Sequence, residues 1–189
     1  MEECLDVRRV ACLGLLLLVS AGCAMNRSQV KSLRDADAAR VEFDPPVLQT
    51  VSVLDSLPSS CGPHSNRRVR PEEFHVYELT GRITRIKREP DHDVHIVLAD
   101  LLHPASHLVV EAGDPEFRKN ALSPYRECVA AGRGMVEALI RDAGGDPGRL
   151  VGAVVRVRGV GFFDFNHLQV GRSRSCIELH PVTFIERVP

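Results

Sequence analysis

Apolar and polar residues alternate along residues 75–89, HVYELTGRITRIKRE. A period of two is typical of a β-strand with one buried face, and a glycine inside such a strand, here Gly81, marks a bend. The pattern therefore predicts a long strand that bends sharply, as a strand of a small barrel does. Its main apolar positions are Val76, Leu79, Ile83 and Ile86.

Four more strands and one helix are predicted after this segment. Residues 94–100 (VHIVLAD) and 107–113 (HLVVEAG) predict the second and third strands. Between residues 123 and 143, apolar residues recur at intervals of three and four, which predicts an amphipathic helix. Residues 151–163 (VGAVVRVRGVGFF) and 176–188 (CIELHPVTFIERV) predict the last two strands.

The order of these elements, β-β-β-α-β-β, is that of the OB-fold, a five-stranded Greek-key barrel. We therefore predict a mainly β domain over residues 74–189, a five-stranded OB-fold-like barrel with one main helix. An open antiparallel sheet packed on one helix is the alternative that the same elements allow. The predicted core consists of Val76, Ile83, Val94, Ile96, Leu98, Val109, Val129, Val136, Leu139, Val155, Val157, Ile177 and Leu179.

Near the N-terminus, residues 10–23 (VACLGLLLLVSAGC) form an apolar run that follows Arg8 and Arg9. The run is too short to span a bilayer, which takes about 20 apolar residues, but it suits the h-region of a signal peptide. Its last four residues, Ser20–Cys23, resemble the lipobox of bacterial lipoproteins, in which the signal is cut before a cysteine that carries the lipid. A buried apolar helix with an incidental cysteine is the alternative.

This resemblance implies a signal peptide over residues 1–22 and a lipidated Cys23, with palmitate among its acyl chains. The protein would then be attached to the membrane of the cell envelope by its N-terminus. In bacterial lipoproteins, Asp directly after the cysteine signals retention in the inner membrane. This chain has Ala24 at that position, so the resemblance implies attachment to the outer membrane, facing the periplasm. Acidic residues at the start of the chain are unusual for an export signal, and a translation start at Val7 would remove them.

Residues 23–73 predict a flexible tether. Pro, Ser and Gly are frequent in DPPVLQTVSVLDSLPSSCGPHSNRRVRP (residues 44–71), a composition that does not build a packed core. Within the tether we expect at most a short helix before residue 44 and one strand over residues 47–54.

The charge balance argues against nucleic acid as a partner. The chain carries 24 Lys and Arg against 25 Asp and Glu, and aromatic residues make up only 5% of it. Nucleic-acid binding relies mainly on clustered basic residues and on aromatic side chains that stack with bases, so this class is disfavoured. We also expect no cofactor.

Three cysteines, Cys61, Cys128 and Cys176, follow Cys23 in the chain. An exported compartment is oxidising, which predicts one disulfide, and three thiols allow three pairings. We expect the pair Cys61–Cys176, with Cys128 left over and buried on the helix. No two of these cysteines have the spacing of a zinc ribbon.

Carboxylate and imidazole side chains collect where an OB-fold binds ligands. That face is formed by the second and third strands and is bordered by the loops after the first and fourth strands. Carboxylates with imidazoles are the groups that a divalent metal or a general acid–base pair requires. The same residues also suit a purely structural hydrogen-bond network. The candidates for either role are Asp91, Asp93, His95, Asp164, His167, Glu178 and His180.

Three stretches resemble a group of uncharacterised exported bacterial proteins. They are residues 81–100, residues 159–167 (GVGFFDFNH) and residues 177–182 (IELHPV), within a resemblance that covers residues 75–186. The resemblance supports the fold and marks polar positions, but it implies no reaction. A run Glu-x-Asp-x-Asp-x-His in the group is matched by Glu89, Asp91, Asp93 and His95, and the other two stretches contribute Asp164, His167, Glu178 and His180.

Two classes of function therefore remain. The first is a binding or scaffold module on a lipid anchor, whose barrel recognises an envelope protein or a small ligand. The alternative is a metal-dependent hydrolase, for example of phosphodiesters, that uses the Asp/His cluster beside the barrel. The sequence contains no Gly-x-Ser-x-Gly, His-Glu-x-x-His or P-loop motif, so no catalytic residue is assigned.

Overall fold

The structure, a computed structural model, describes residues 27–62, 64–165 and 170–189. None of the helices in these ranges is long and apolar enough to cross a membrane. The strands are β1 (Glu42–Leu48), β2 (His75–Arg88), β3 (Val94–Ala99), β4 (His107–Ala112), β5 (Val154–Phe163) and β6 (Ile177–Arg187). The helices are α1 (Ser28–Lys31), α2 (Val51–Asp55), α3 (Arg118–Ala121) and α4 (Arg126–Asp142), with 3₁₀ turns at Ala38–Arg40, Pro71–Phe74 and Pro147–Leu150.

Strands β2 to β6 close into a barrel. They are hydrogen-bonded in the order β2-β3-β4-β6-β5, and β5 also pairs with β2. All of these pairs are antiparallel except β4 and β6, which run parallel. The predicted five-stranded barrel with one main helix is therefore confirmed, and the open sheet is excluded. β1 lies outside the predicted barrel domain, and it runs parallel to β2 at the edge of the sheet.

β2 reaches both of its barrel neighbours because it bends near Gly81. Residues 76–82 pair with β5, whereas residues 82–88 pair with β3. A Cβ atom at Gly81 would lie 3.1 Å from the Cβ of Leu98 and 3.3 Å from a methyl group of Val51. Glycine therefore allows the close packing that the bend requires.

Most of the predicted core positions belong to the main apolar cluster of the barrel. Val76 belongs instead to a second cluster, with Leu33 and Val41, and Val109 and Val129 are buried outside both clusters. All of the predicted core residues are buried except Leu139, which is only half-buried. α4 turns Val136 and Ile140 into the core instead, so Leu139 lies at the margin of the apolar stripe. The helix lies close to β6 at Gly132, where a Cβ atom would lie 2.0 Å from the carbonyl oxygen of Val182.

Residues 27–62 and 64–73 are packed on the barrel. Leu33 and Val41 are 0% and 1% exposed, and they share an apolar cluster with side chains of β2 and β5. The flexible tether predicted over residues 23–73 is therefore wrong for this part of the chain. Few apolar residues suffice here because the outer face of the barrel supplies the other half of the interface.

The strand expected over residues 47–54 forms only in part. β1 ends at Leu48, and α2 follows after Thr50, whose hydroxyl accepts a hydrogen bond from the N–H of Val53 at 3.2 Å. This side-chain cap satisfies one of the free N–H groups at the helix start. α2 then places two apolar side chains in the barrel core.

A buried ion pair between Arg27 and Glu73 fixes the start of the described chain. Their side chains are 1% and 0% exposed, and Nη1 lies 2.6 Å from Oε1. The remaining N–H groups of the guanidinium donate to the carbonyl oxygens of Ser65, Arg67 and Phe163. Glu73 also accepts a hydrogen bond from the N–H of Phe163 at 2.8 Å. Both charges are therefore compensated in the interior, as buried charges must be.

Cys61 and Cys176 form the predicted disulfide, which joins residues 115 positions apart. Cys128 is buried on α4, as expected. It is not a leftover thiol, however, because it is also disulfide-bonded. Every cysteine in the described ranges is therefore oxidised.

Candidate functional site

Seven polar side chains meet between the outer face of the barrel and residues 27–41, which we call the covering segment. Most of them alternate with core residues of β3, β4 and β6, so they point out of the barrel. They are nevertheless buried, apart from a partly exposed lysine that the covering segment contributes. This polar cluster consists of Lys31, Asp93, His95, Glu111, Asp164, Glu178 and His180.

His180 connects the covering segment to two carboxylates. Its Nδ1 lies 2.9 Å from the carbonyl oxygen of Lys31, which can only accept, so Nδ1 carries a proton. Its Nε2 lies 3.3 Å from Oδ2 of Asp93 and 3.3 Å from Oε2 of Glu111. The imidazole is therefore held in one orientation, with Nε2 facing the two carboxylates.

Asp93 and Glu111 are each held by a hydrogen bond to their other oxygen. Oδ1 of Asp93 accepts from the N–H of Asp114 at 2.9 Å. Oε1 of Glu111 lies 2.8 Å from Nδ1 of His95, its direct partner across the β3–β4 ladder. These contacts orient both carboxylates so that the second oxygen of each lies close to His180.

Lys31 places an ammonium group beside the carboxylates. Its Nζ lies 3.4 Å from Oε2 of Glu111 and 3.3 Å from Oδ2 of Asp164. Burial by itself lowers the pKa of Lys31, but the nearby carboxylates outweigh it and raise that pKa above its ordinary value. Burial by itself raises the pKa of Glu111. Lys31 and the imidazoles of His95 and His180 outweigh burial and bring this pKa well below its ordinary value. Lys31 and Glu111 therefore stay charged at neutral pH.

Glu178 differs from the rest of the cluster. It is 0% exposed, and neither carboxyl oxygen has a hydrogen-bond partner among the described residues. Burial raises the pKa of Glu178 well above its ordinary value; Lys31 opposes this rise, and Glu111 and Asp164 add to it. A buried carboxyl group without a partner is rare in folded proteins and calls for an explanation.

The structure places the predicted site residues in different ways. Asp91 lies in the turn between β2 and β3, where its carboxylate accepts a hydrogen bond from the N–H of Asp93 at 3.4 Å, so it orders the turn. His167 lies outside the described residues. The structure brings together Asp93, His95, Asp164, Glu178 and His180.

Sequence reasoning missed Glu111 and Lys31, which link the cluster. Glu111 carried a usable signal, because it is the acidic residue in the otherwise mostly apolar strand HLVVEAG. Lys31 carried none, since it lies in a segment whose composition indicated a tether.

Two sets of three side chains have the geometry to hold a metal ion. In each set, the ligand atoms all lie within 4.8 Å of one another. One set is Glu89, His95 and Glu111, and the other is Asp93, Glu111 and His180. The second set is buried throughout, whereas Glu89 of the first set is partly exposed.

Exposed leucines form a separate feature, which we call the leucine patch: Leu48, Leu101 and Leu102. They are 72%, 43% and 85% exposed, and they border a pocket of about 340 Å³ beside β1 and the β3–β4 loop. The carboxylate of Asp100 accepts hydrogen bonds from the N–H groups of Leu102 and Ser52, each at 2.9 Å. The loop that carries the patch is therefore held in place.

No family model and no curated protein matches this chain. Among solved structures, it is similar to the crystal structure of apo TiaS (tRNAIle2 agmatidine synthetase), with 14% identity over 65% of this chain and a TM-score of 0.26. The similarity spans 31% of that protein, about a third of its length. A TM-score this low carries no argument about function.

Proposed function

We propose that this protein is a lipid-anchored component of the bacterial cell envelope whose barrel is a binding module for another envelope protein. The leucine patch carries this proposal. Leu102 is 85% exposed beside a pocket, and an apolar patch of this kind marks a contact site for another protein. Because Asp100 holds the loop, little conformational freedom would be lost on binding.

Two features support export. The apolar run of residues 10–23 ends in a lipobox-like sequence with Cys23. The disulfide between Cys61 and Cys176 suits an oxidising compartment and is rare in cytosolic proteins. Together they favour the envelope, and Ala24 favours the outer membrane, facing the periplasm.

The burial of the polar cluster favours binding over a metal-dependent hydrolase. Asp93, His180 and Glu111 are 1%, 1% and 5% exposed beneath the covering segment. A hydrolase must admit water and substrate to its reacting groups, so hydrolysis at this cluster would require the covering segment to move away. The leucine patch is exposed without any such movement.

We expect the variant Cys23→Ser to lose its membrane attachment. The sulfur of Cys23 would carry the lipid, and stable anchoring takes more than one acyl chain, at about 0.8 kcal/mol per buried methylene. The variant should accumulate as an uncleaved precursor or as soluble protein, whereas the wild type should fractionate with membranes. Cell fractionation and the intact mass of the purified protein measure this.

The matched control is Cys12→Ser, which changes a cysteine of the apolar run and leaves the lipobox-like sequence intact. A processed Cys23→Ser protein that still fractionates with membranes contradicts lipidation. So does a peptide in which Cys23 is disulfide-linked to Cys128, because a sulfur held in a thioether to lipid cannot form a disulfide.

The binding role is tested by photo-crosslinking from position 102 in intact cells. A crosslinker at Leu102 should capture one envelope protein, and adding Leu48→Asp should greatly reduce that capture. Since central interface residues contribute about 2 kcal/mol or more, we expect the affinity for the captured protein to fall about 30-fold in Leu48→Asp.

A crosslinker at Val151, which is 52% exposed and lies outside the leucine patch, is the matched control. Equal capture from positions 151 and 102 contradicts a specific surface. Capture of a second copy of this chain alone would assign the patch to self-association rather than to another protein.

A further inference from the structure

Oδ2 of Asp93, Oε2 of Glu111 and Nε2 of His180 converge on one point beneath the covering segment. All three atoms lie within 4.8 Å of one another. The two oxygens are acceptors, and Nε2 offers a lone pair when the ring is neutral, because Nδ1 already holds a proton. Such a group needs positive charge at its centre, either a second proton on His180 or a bound cation.

The separations fit a cation. A charge-assisted hydrogen bond from an imidazolium to a carboxylate is about 2.7–2.9 Å long. Nε2 of His180 instead lies 3.3 Å from each carboxylate oxygen. A tetrahedral zinc ion with bonds of about 2.0–2.2 Å holds its ligand atoms about 3.3–3.6 Å apart. We propose that Asp93, Glu111 and His180 bind one divalent metal ion of the zinc class.

The hydrogen bonds around these three side chains support the site. Metal ligands in proteins use their second polar atom to bond protein groups, which fixes their orientation. Here Nδ1 of His180 donates to the carbonyl of Lys31, and Oδ1 of Asp93 accepts from the N–H of Asp114. Oε1 of Glu111 is bonded to His95. Each of the three ligands therefore has one atom fixed by the protein and one atom at the centre.

Glu178 is an independent observation that points to a ligand. It precedes His180 by two residues on β6, so both side chains leave the same face of the strand. It is completely buried, and its two oxygens have no hydrogen-bond partner among the described residues. A cation on the same face of the barrel would add to Lys31 in offsetting the cost of burying this carboxyl group, although Glu178 is not one of the three converging ligands.

Lys31 does not replace the ion. Its ammonium group pairs with Glu111 and Asp164, whereas the proposed centre also includes Asp93. Two carboxylate oxygens and one imidazole nitrogen suit Zn²⁺, with Mn²⁺ as the next choice. Because His180 also holds the backbone of the covering segment, the ion would join this segment to the barrel, which is a structural role beyond the proposed binding function.

The test uses the full chain, purified without chelators. We expect about one zinc ion per chain by elemental analysis. After removal of the metal with EDTA, ZnCl₂ at a hundredfold excess over the dissociation constant should raise the melting temperature by about 5–10 °C. Co²⁺ added in place of zinc should give the visible absorption of a tetrahedral site.

Two ligand variants and a matched control locate the ion. Asp93→Asn and Glu111→Gln should each weaken zinc binding at least about 10–100-fold. Asp164→Asn should keep the ion, because Asp164 pairs with Lys31 and is not a proposed ligand.

Two results would overturn the proposal. One is a wild-type protein without zinc whose melting temperature and cobalt spectrum do not respond to added metal, which would make His180 an imidazolium in a hydrogen-bond network. The other is metal binding that falls no further in Asp93→Asn than in Asp164→Asn, which would place the ion elsewhere. The wild-type measurements keep the test decisive even where a variant fails to fold.

Discussion

Replacing Arg27 by methionine is expected to lower the free energy of unfolding by about 3–5 kcal/mol. The guanidinium pairs with Glu73 in the interior, where both side chains are at most 1% exposed. Without the guanidinium, Glu73 remains as an uncompensated buried charge, and three backbone carbonyl oxygens lose a hydrogen-bond donor. Urea unfolding of the wild type and of Arg27→Met, followed by circular dichroism, measures the difference.

Arg40→Met is the matched control. Arg40 forms an ion pair with Asp37 on the surface, and its side chain is 68% exposed. Such pairs contribute about 0–1 kcal/mol, so this variant should unfold nearly as the wild type does. A loss of less than about 1 kcal/mol in Arg27→Met as well would contradict the burial of the ion pair. The double variant Arg27→Met/Glu73→Met should be more stable than Arg27→Met, because neither charge of this ion pair then remains in the interior.

Truncating Ile96 to alanine is expected to lower the free energy of unfolding by about 2–5 kcal/mol. Ile96 lies on β3, is 1% exposed and belongs to the main apolar cluster inside the barrel. The truncation removes buried methylene and methyl groups and leaves a cavity that the closed barrel relaxes around only in part. Thermal unfolding followed by calorimetry measures the change.

Leu139→Ala tests the revised position of the α4 stripe. Because Leu139 is half-buried, its truncation should cost less than that of Ile96, while Ile140→Ala should resemble Ile96→Ala. Equal melting temperatures for Ile96→Ala and the wild type would mean that the register of β3 is wrong. A larger loss at Leu139 than at Ile140 would mean that α4 is rotated.

The packing of residues 27–62 and 64–73 changes what a lipid on Cys23 would do. A flexible tether would let the barrel explore the space above the membrane. Instead, Arg27 is already buried, and only residues 24–26 separate it from Cys23. Even a fully extended chain covers only about 3.3–3.6 Å per residue, so the anchor would hold the barrel close to the lipid surface.

The barrel could be predicted because its signals are local. The alternation along β2 reflects which side of one strand is buried, and the bend at Gly81 is a property of a single residue. The order of elements then leaves few ways to close the sheet. The apolar run near the N-terminus indicated an oxidising compartment and hence one disulfide, but three pairings were open. The expected pair, Cys61 and Cys176, is the one that forms.

The polar cluster was predictable only in part. Asp93, His95 and His180 could be named because they border the loops and strands where an OB-fold binds ligands. Glu111 was missed because the candidates were sought in the loops that border the ligand-binding face and in the second and last predicted strands, and not in the third. Leu139 was misplaced because a period of 3.6 predicts an apolar stripe and does not fix which of two neighbouring residues on that stripe turns inward.

The sequence by itself therefore determined the order of the elements, the barrel and most of its core, because each depends on a residue and its near neighbours. Only the tertiary structure decided that residues 27–62 and 64–73 belong to the domain and that Lys31 meets the polar cluster. The contacts that decide this join His180 to Lys31 across 149 positions and Lys31 to Glu111 across 80. Whether such distant polar groups meet depends on how the chain is threaded around the closed barrel, and no local periodicity or composition records that path.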